Sequence, residues 1–191
     1  MTRVLVPLAQ GCEELEAVTI IDLLRRAQIE VVVAGLQDGP VKGSRGTVLL
    51  PDTTLDVAIQ HEFDMIVLPG GLPGATNLAA DARIIALLKK MAASNKYTAA
   101  ICAAPKVLAS AGLLDGKRAT GYPGTLDPKS FPKVRIVNDA LVQDGRVITS
   151  RGPGTAMDFA LSLIETLAGK EKRDAVEQGL VRPDSHRTAL V

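Results

Sequence analysis

The sequence predicts an α/β protein with a doubly wound, mostly parallel sheet that is covered by helices on both faces. Short apolar runs rich in Val and Ile alternate along the chain with amphipathic helical patterns. These runs lack the every-second-residue alternation of a half-exposed strand, and continuous apolar strands are typical of parallel sheets buried on both faces. The repeated order of strand and helix implies right-handed βαβ units.

The first half of the chain is predicted to contain three strands and two helices. The strands are Val4–Leu8, Val31–Ala34 and Met65–Leu68, and the helices are Glu14–Ala27 and a segment that begins after Asp81. The sequence Pro69-Gly70-Gly71 ends the third strand. Apolar residues at positions 84, 85, 88, 91 and 92 give the second helix one face suited to burial.

The second half begins with a fourth buried strand, Thr98–Ile101, followed by a short helix, Ala104–Ala111. The pattern then changes to four strand-like segments: Arg118–Tyr122, Val134–Val137, Ala140–Val142 and Arg146–Thr149. The turn Gln143-Asp144-Gly145 predicts a hairpin between the last two. A helix from about Thr155 to Ala168 follows, with Gly169 at its C-terminal cap, and then a more polar helix, Glu171–Gln178.

The length of 191 residues suits one domain with one core. We predict that residues 1–183 form this domain and that residues 184–191 form a disordered tail. Lys and Arg number 22, Asp and Glu number 21, and aromatic residues make up only 3%. This composition favours neither attraction to a polyanion nor stacking on bases, so we expect no specific nucleic-acid binding.

Membrane insertion and secretion are also not expected. No apolar run approaches the roughly 20 residues of a membrane-spanning helix. The N-terminal run Val4–Ala9 is too short for the core of a signal peptide. Two cysteines, Cys12 and Cys102, are too few for the disulfide framework of a small secreted protein. We therefore expect a soluble cytoplasmic protein.

Cys102 lies where a predicted strand runs directly into a predicted helix, in Ile101-Cys-Ala-Ala-Pro105. This pattern is typical of a nucleophile elbow, a tight turn that presents a reactive side chain above the sheet. Pro105 suits the first helical turn, where a missing N–H costs nothing. Because a helix start favours an anion, we expect it to lower the pKa of Cys102. A plain buried cysteine explains the pattern equally well.

Two other segments follow predicted strands and are expected at the same edge of the sheet. In the segment 11–16, the helix dipole explains Glu13 and Glu14 without a function. Glu16 shares an apolar stripe of the helix, but so does Glu13, and periodicity does not choose between them as the inward residue. The glycine-rich segment 68–74 is either a simple turn or an anion pocket of N–H groups.

Histidine is not expected near Cys102. His61 precedes the third strand and so belongs to the opposite edge of the sheet, and His186 lies in the predicted tail. A Cys–His dyad therefore has no base. Two histidines and two cysteines this dispersed do not form a metal site, and we expect no metal and no cofactor.

Taken together, several motifs resemble the ThiJ/PfpI superfamily, and within it the branch of the Parkinson-disease protein deglycase and its bacterial relatives. The motifs are Gly11-Cys-Glu-Glu-Leu-Glu16, Arg25-Arg-Ala27, Val33-Ala-Gly35, Ser44-Arg45, Val67-Leu-Pro-Gly-Gly71, Ala100-Ile-Cys-Ala-Ala-Pro105 and Thr149-Ser-Arg-Gly-Pro-Gly-Thr155. The resemblance covers about residues 3–183. It implies a flavodoxin-like fold and a homodimer.

The resemblance also implies a set of site residues. Cys102 would be the nucleophile, and Glu16 would be the paired acid, which the periodicity could not decide. Backbone N–H groups of three residues would form an anion pocket around the sulfur; these are Gly70, Gly71 and Ala103. Arg45 would approach the site from the other subunit. A carboxyl group beside a thiolate should stay protonated and donate a hydrogen bond to sulfur.

The function implied is that of a cysteine-dependent, cofactor-independent glyoxalase or deglycase. Its substrates would be α-oxoaldehydes such as methylglyoxal and glyoxal, or their early adducts on proteins and nucleotides. The alternative is a redox-sensing, chaperone-like stress protein whose cysteine oxidises to a sulfinate with little turnover.

Two departures from the family pattern limit what is carried over. Tyr122 stands where the branch often has a His near the cysteine, and this puts in doubt any mechanism that needs that His. Ala103 stands where protease-like members have a His, so peptidase activity is not expected. Cys12 lies in the loop after the first strand; it is either an incidental cysteine or a resolving thiol for Cys102.

Overall fold

The structure, a computed structural model, describes residues 2–182. Eleven strands are found: β1 Arg3–Leu8, β2 Glu30–Gly35, β3 Val41–Lys42, β4 Val48–Leu49, β5 Thr53–Thr54, β6 Met65–Leu68, β7 Tyr97–Ile101, β8 Arg118–Ala119, β9 Arg135–Ile136, β10 Leu141–Asp144 and β11 Val147–Ser150. Seven α-helices accompany them: α1 Glu14–Arg26, α2 Leu55–Ala58, α3 Leu72–Ala80, α4 Ala82–Ala93, α5 Pro105–Ser110, α6 Ala156–Ala168 and α7 Lys170–Gly179. The predicted tail 184–191 lies outside the described residues.

Seven strands form the central sheet in the order β10-β11-β7-β6-β1-β2-β5. Every neighbouring pair is parallel except β10 and β11, which form the antiparallel hairpin predicted from its turn. The strand order reverses between β1 and β6, because the chain adds β2 on one side of β1 and later strands on the other. The prediction of a doubly wound, mostly parallel sheet is confirmed.

Helices cover the sheet in two groups. On one side α1 packs against α6, and α6 packs against α7; in the other group α3 packs against both α4 and α5. All four residues of β6 are fully buried, as are Val4, Leu5 and Val6 of β1. This burial on both faces explains why the strands are continuously apolar. Truncating such a side chain to Ala typically costs about 2–5 kcal/mol.

Several elements differ from the sequence prediction. Helix α3 was missed, as were α2 and the short strands β3, β4 and β5. The predicted strands Arg118–Tyr122 and Val134–Val137 are reduced to β8 and β9, which pair with each other in a separate small sheet. The chain leaves this sheet after Thr120, and the Tyr122 N–H donates to the Cys102 carbonyl oxygen at 2.7 Å.

Within residues 2–182, no helix combines the length and the apolar character that crossing a membrane requires.

Candidate active site

Cys102 occupies the turn between β7 and α5 and has a backbone φ of 63°. A non-glycine residue in this region is strained and persists only where its surroundings hold it. Two backbone hydrogen bonds do so: the Cys102 N–H donates to Ser150 O at 3.0 Å, and its carbonyl oxygen accepts from Tyr122 N–H. The pattern of strand, strained cysteine and helix is that of a nucleophile elbow.

The Cys102 side chain is only 8% exposed and lies among backbone N–H groups. Those of Gly71 and Ala103 lie near the sulfur and favour its anion, and so act to lower the pKa of the thiol. The Gly70 N–H is used differently, because it donates to Glu16 Oε2 at 2.8 Å. Of the three N–H groups expected around an anion pocket, two therefore face the sulfur, and the third holds the neighbouring carboxyl group.

Glu16, in the first turn of α1, is completely buried. Its Oε2 accepts the Gly70 N–H, whereas Oε1 is buried with no hydrogen-bond partner among residues 2–182. Glu13 points elsewhere, since its Oε2 accepts from the Ser44 hydroxyl at 2.7 Å. The structure thus selects Glu16 as the inward carboxyl group.

Gly70 is the residue that allows the thiol and the carboxyl group to approach each other. A Cβ atom at this position would lie 2.6 Å from Cys102 Cβ and 2.6 Å from Glu16 Oε2. Neither distance is possible for real atoms, so only glycine fits here while both side chains keep their places. The glycine-rich segment is therefore part of the site and does more than end β6.

Burial raises the pKa of both ionisable groups, and the charge of Glu16 raises that of the thiol further. Burial raises the pKa of Glu16 to about 7, although the Gly70 N–H and contact with Cys102 act against the increase. Burial, and then the Glu16 charge, raise the pKa of the Cys102 thiol to about 12 against the N–H groups of Gly71 and Ala103. The expected lowering of the thiol pKa is therefore wrong. The sequence argument counted the helix start but not the burial.

Arg45 lies exposed at the turn between β3 and β4, and its backbone N–H donates to Glu14 at 2.9 Å. Its side chain has no hydrogen bond or ion pair among the described residues. Tyr122 is 49% exposed, and a Cβ at Gly152 would lie 3.4 Å from its ring. Tyr122 thus joins the elbow through its backbone and leaves its side chain accessible.

Cys12 is buried and forms no disulfide, and burial raises the pKa of its thiol to about 11. The backbone of Gly70 and Gly71 lies between the two cysteines: a Cβ at Gly70 would meet Cys102, and one at Gly71 would meet the Cys12 carbonyl carbon at 2.8 Å. Direct pairing of Cys12 with Cys102 would therefore require this loop to move.

Two other expectations can be placed on the structure. His61 is exposed before the start of β6, on the sheet edge opposite the site, and His186 lies outside the described residues. Within residues 2–182, His, Cys, Asp and Glu side chains do not assemble in groups of three or more that could hold a metal ion.

Glu14 is the residue that the sequence analysis undervalued. It is 8% exposed, and its carboxylate accepts hydrogen bonds from the turn that carries Arg45. The sequence contained no signal for this, because an acidic residue in a first helical turn is fully explained by the helix dipole.

Comparison with known proteins gives consistent matches over nearly the whole chain. A model of the DJ-1/PfpI family matches residues 2–166. The chain is 47% identical over 179 residues to protein dj-1beta of Drosophila melanogaster, covering 93% of this chain and 95% of that protein. The crystal structure of Drosophila melanogaster DJ-1beta superposes with a TM-score of 0.91 at 45% identity, covering 96% of this chain and 99% of that chain.

Two further matches have names that describe chemistry. A Caenorhabditis elegans protein named glutathione-independent glyoxalase DJR-1.2 is 38% identical over 167 residues, covering 87% of this chain and 89% of that protein. A structure of oxidised Toxoplasma gondii DJ-1 superposes with a TM-score of 0.89 at 38% identity, covering 96% of this chain and 100% of that chain.

Proposed function

Because the chain belongs to the DJ-1/PfpI family, we propose that it is a cysteine-dependent glyoxalase that uses neither glutathione nor another cofactor. Its substrates would be α-oxoaldehydes such as methylglyoxal and glyoxal. Early adducts of these aldehydes on proteins and nucleotides have related carbonyl chemistry, and the protein would remove them as a deglycase. A relative named as a glutathione-independent glyoxalase supports this choice of chemistry.

The observation that carries the proposal is the contact of a buried carboxyl group with a cysteine on a strained elbow. A carboxyl group whose pKa is raised to about 7 can both hold and release a proton near neutral pH. The free Glu16 Oε1 is available for this exchange, because Oε2 is already bound by the Gly70 N–H. When Glu16 holds the proton, its charge no longer opposes the thiolate, and the N–H groups of Gly71 and Ala103 favour that thiolate.

The reaction begins with attack of the Cys102 thiolate on the aldehyde carbon of methylglyoxal. A C–S bond forms, and the carbonyl electron pair moves to oxygen. Glu16 gives its proton to this oxygen, which produces a hemithioacetal and leaves Glu16 as the carboxylate. The Gly71 and Ala103 N–H groups, which favour the thiolate beforehand, would then stabilise the oxyanion as it develops.

Glu16 then moves a proton between the two carbon atoms. The carboxylate removes the C–H proton of the hemithioacetal carbon, and the electrons pass to the ketone oxygen as an enediolate. The proton returns to the neighbouring carbon, while the hydroxyl proton on the first carbon's oxygen passes to the oxygen of the second. The product is a thioester of lactate, in which the first carbon is oxidised and the second reduced. Water cleaves the thioester and releases lactate and the Cys102 thiol.

Turnover of methylglyoxal by purified protein tests the proposal. Without glutathione or added metal, the wild-type protein should form lactate, and Cys102→Ser should reduce the rate by at least about 100-fold. Cys12→Ser is the matched control, because it changes a buried cysteine outside the carboxyl–thiol pair and should retain activity. Equal lactate formation by wild type and Cys102→Ser would show that the mechanism is wrong.

A second candidate function is sensing of oxidants through Cys102. It is favoured by the two N–H groups at the sulfur, which would also stabilise a sulfinate, and by a relative whose structure is of the oxidised protein. Both functions use the Cys102 sulfur, which reacts with an aldehyde in one case and with an oxidant in the other. The rate of methylglyoxal turnover therefore decides between them.

Mild peroxide followed by peptide mass analysis is the measurement for the sensing function. We expect a gain of two oxygen atoms on the peptide with Cys102 and none on the peptide with Cys12, since the N–H groups of Gly71 and Ala103 would stabilise a sulfinate at Cys102 and Cys12 is the more deeply buried, 1% against 8% exposed. Clean oxidation of Cys102 with negligible lactate formation would favour sensing. Equal oxidation of both cysteines would contradict the assignment of Cys102 as the special thiol.

We also propose a homodimer in the cytoplasm. Leu15 and Val18 on α1 and Leu50 beyond β4 are exposed, and Val18, Leu49 and Leu50 line one shallow groove. An apolar surface of this kind is typical of a protein interface, and a second copy of the chain would cover it and bring Arg45 to the other subunit. Sedimentation should give the mass of two chains; a monomer at micromolar concentration would contradict this.

The cytoplasmic location is supported by the two free cysteines, which fit a reducing compartment.

A further inference from the structure

We infer that Glu14 is a positioning residue whose carboxylate holds the turn of residues 43–47, and with it Arg45, in place for the partner subunit's site. The inference rests on the proposed function in one respect, because Arg45 is taken to reach that site. Glu14 itself does not contact Cys102 or Glu16 through any hydrogen bond of the described residues. It acts through the turn.

The turn has little support from regular structure. It connects β3 and β4, which contain two residues each and pair only with one another, Val41 opposite Leu49 and Lys42 opposite Val48. A two-stranded ribbon of this length is not stable alone in water. Other contacts must therefore fix the position of Arg45.

Those contacts converge on the Glu14 carboxylate. The Arg45 N–H lies 2.9 Å from Oε1 and 3.1 Å from Oε2, and the Thr47 N–H donates to Oε1 at 3.1 Å. The Ser44 hydroxyl donates to Oε2 at 3.3 Å. Hydrogen bonds from N–H groups to an ionised carboxylate are roughly twice as strong as those between neutral groups. The Glu14 carboxylate thus accepts from the backbone of both Arg45 and Thr47, and it lies beside the Ser44 hydroxyl, whose shorter hydrogen bond, 2.7 Å, goes to Glu13.

The charge of Glu14 persists over the whole physiological pH range. Burial raises its pKa, but hydrogen bonds from its own N–H and from those of Arg45 and Thr47 outweigh burial and lower the pKa to about 2. A buried carboxylate kept ionised in this way is bound tightly to its donors. The hydrogen bonds from the turn of residues 43–47 to the Glu14 carboxylate should therefore persist at any pH at which the thiol reacts.

The turn packs closely against the Glu14 carboxylate. A Cβ at Gly43 would lie 2.5 Å from Glu14 Oε2. The Ser44 N–H donates to Cys12 O at 2.8 Å, and Glu13 N–H donates to Gly70 O at 3.0 Å. The start of α1 therefore holds both the turn that carries Arg45 and the Gly70 loop beside Cys102. The positions of the turn and the loop are linked through this segment.

A charge-sensitive alkylation of Cys102 tests the inference in the Cys12→Ser background. Iodoacetate is an anion and iodoacetamide is neutral, so a cation near the sulfur raises the ratio of the iodoacetate rate to the iodoacetamide rate. This quotient is the alkylation ratio. Arg45→Ala should lower this ratio about threefold, the effect of one charge at about 7 Å in water. Glu14→Ala should lower it equally, and the double variant should show no further loss. Glu14→Gln, which keeps one acceptor oxygen, should give an intermediate ratio.

Amide hydrogen exchange of residues 43–47 provides a second readout. Exchange should become faster in Glu14→Ala and stay at the wild-type rate in Arg45→Ala, whose backbone N–H is unchanged. If Glu14→Ala does not fold, Gly43→Ala keeps the Glu14 residue but forces its carboxylate and the turn apart, because the added Cβ would lie 2.5 Å from Glu14 Oε2, and it should lower the alkylation ratio as well.

Three results would overturn the inference: a ratio unaffected by Arg45→Ala, a wild-type ratio in Glu14→Ala, or additive losses in the double variant. A merely stabilising role for Glu14 would lower the melting temperature and leave the ratio unchanged. None of these measurements needs turnover. Failure of wild-type protein to convert methylglyoxal would contradict the proposed function, whereas the ratio would still decide the role of Glu14.

Discussion

Cys102 and Glu16 cannot both be ionised at neutral pH without placing two negative charges together in a buried site. The pKa of Glu16 is raised to about 7 and that of the thiol to about 12, so the pair holds one proton across the range between these values. Reactivity depends on which atom holds this proton. A thiolate forms only when the proton is on Glu16, where it can be donated to the sulfur.

The thiol pKa in three variants shows where the proton lies. In the Cys12→Ser background we expect the apparent thiol pKa to be highest in the wild-type protein and lower in both Glu16→Gln and Glu16→Ala, by about one unit or more. Glu16 is ionised at the pH values where the thiol titrates, and its charge raises the thiol pKa, whereas neither Gln nor Ala carries a charge. The rate of iodoacetamide alkylation as a function of pH measures this.

A thiol pKa that is higher in Glu16→Ala than in the wild-type protein would contradict this expectation. It would mean that Glu16 keeps its proton while the thiol titrates and donates it to the thiolate. Cys12 is absent from all three proteins, so a second thiol does not contribute to the alkylation curve.

Residue-scale predictions from the sequence depended on what a linear pattern can contain. The strand-to-helix turn at Cys102 was predicted from the residue pattern, because strand, small residues and proline are local signals, but the pattern suited a plain buried cysteine equally well and the role of nucleophile was implied by the family resemblance. The choice of Glu16 over Glu13 came from the family resemblance, since both lie on inward stripes of α1. The raised thiol pKa was not predictable, because it depends on burial and on Glu16, which is 86 positions away along the chain.

At the scale of elements, the site depends on the loop between β6 and α3. Gly71 has φ 86°, and a Cβ there would lie 2.3 Å from Gly11 O, so the loop presses closely against the start of α1. Gly70 does not have a positive φ in this structure, and its requirement is purely steric. The backbone of this loop separates the thiol and carboxyl pair from Cys12.

Gly70→Ala tests how closely the pair must approach. The added Cβ would occupy space within 2.6 Å of both Cys102 Cβ and Glu16 Oε2, so one side chain must move. We expect kcat/KM for methylglyoxal to fall by about 100-fold, since a displacement near 1 Å has this effect in preorganised sites. Gly179→Ala is the control, because a Cβ there would meet no atom of residues 2–182 within 4 Å. Full activity of folded Gly70→Ala would show that the close approach is unnecessary.

The elements that were missed share a physical reason. Strands β3 and β4 contain two residues each, and periodicity cannot be detected over two residues. Helix α3 begins Leu-Pro-Gly, which reads as a turn, because proline and glycine usually mark turns. Its Gly74 is explained only by packing: a Cβ there would lie 2.7 Å from Cys12 Cα. Contacts between distant segments decided these elements.

At the scale of the whole molecule, the parallel sheet assembles the site from distant parts of the chain. The carboxyl ends of β1, β6, β7 and β11 supply the Glu16 helix, the Gly70 loop, the Cys102 elbow and the Ser150 carbonyl group. The sequence predicted this convergence, because strand order in α/β sheets places such loops at one edge. It could not predict contact between the carboxyl group and the thiol, which depends on side-chain packing.

Assembly of the site has a cost that should be visible as pH-dependent stability. Glu16 has a pKa of about 7 in the folded protein against an ordinary value of 4.5, so the folded state binds the proton more tightly. Its contribution is present below pH 4.5 and is lost as the pH rises through about 7. Glu16→Gln cannot ionise and escapes this loss. Any constant penalty for burying its amide is the same at every pH.

The stability gained by Glu16→Gln over wild type should therefore grow by about 2–3 kcal/mol between pH 5 and pH 8. Urea unfolding at the two pH values measures this as a widening separation of the midpoints. Glu14→Gln is the contrasting variant: the pKa of Glu14 is lowered to about 2, so its carboxylate is ionised in both states over this range and the difference from wild type should stay constant. A constant difference for Glu16→Gln as well would mean that the thiol and carboxyl pair loses its first proton near the unfolded value, and that the buried carboxyl group is not the proton store on which the proposed reaction depends.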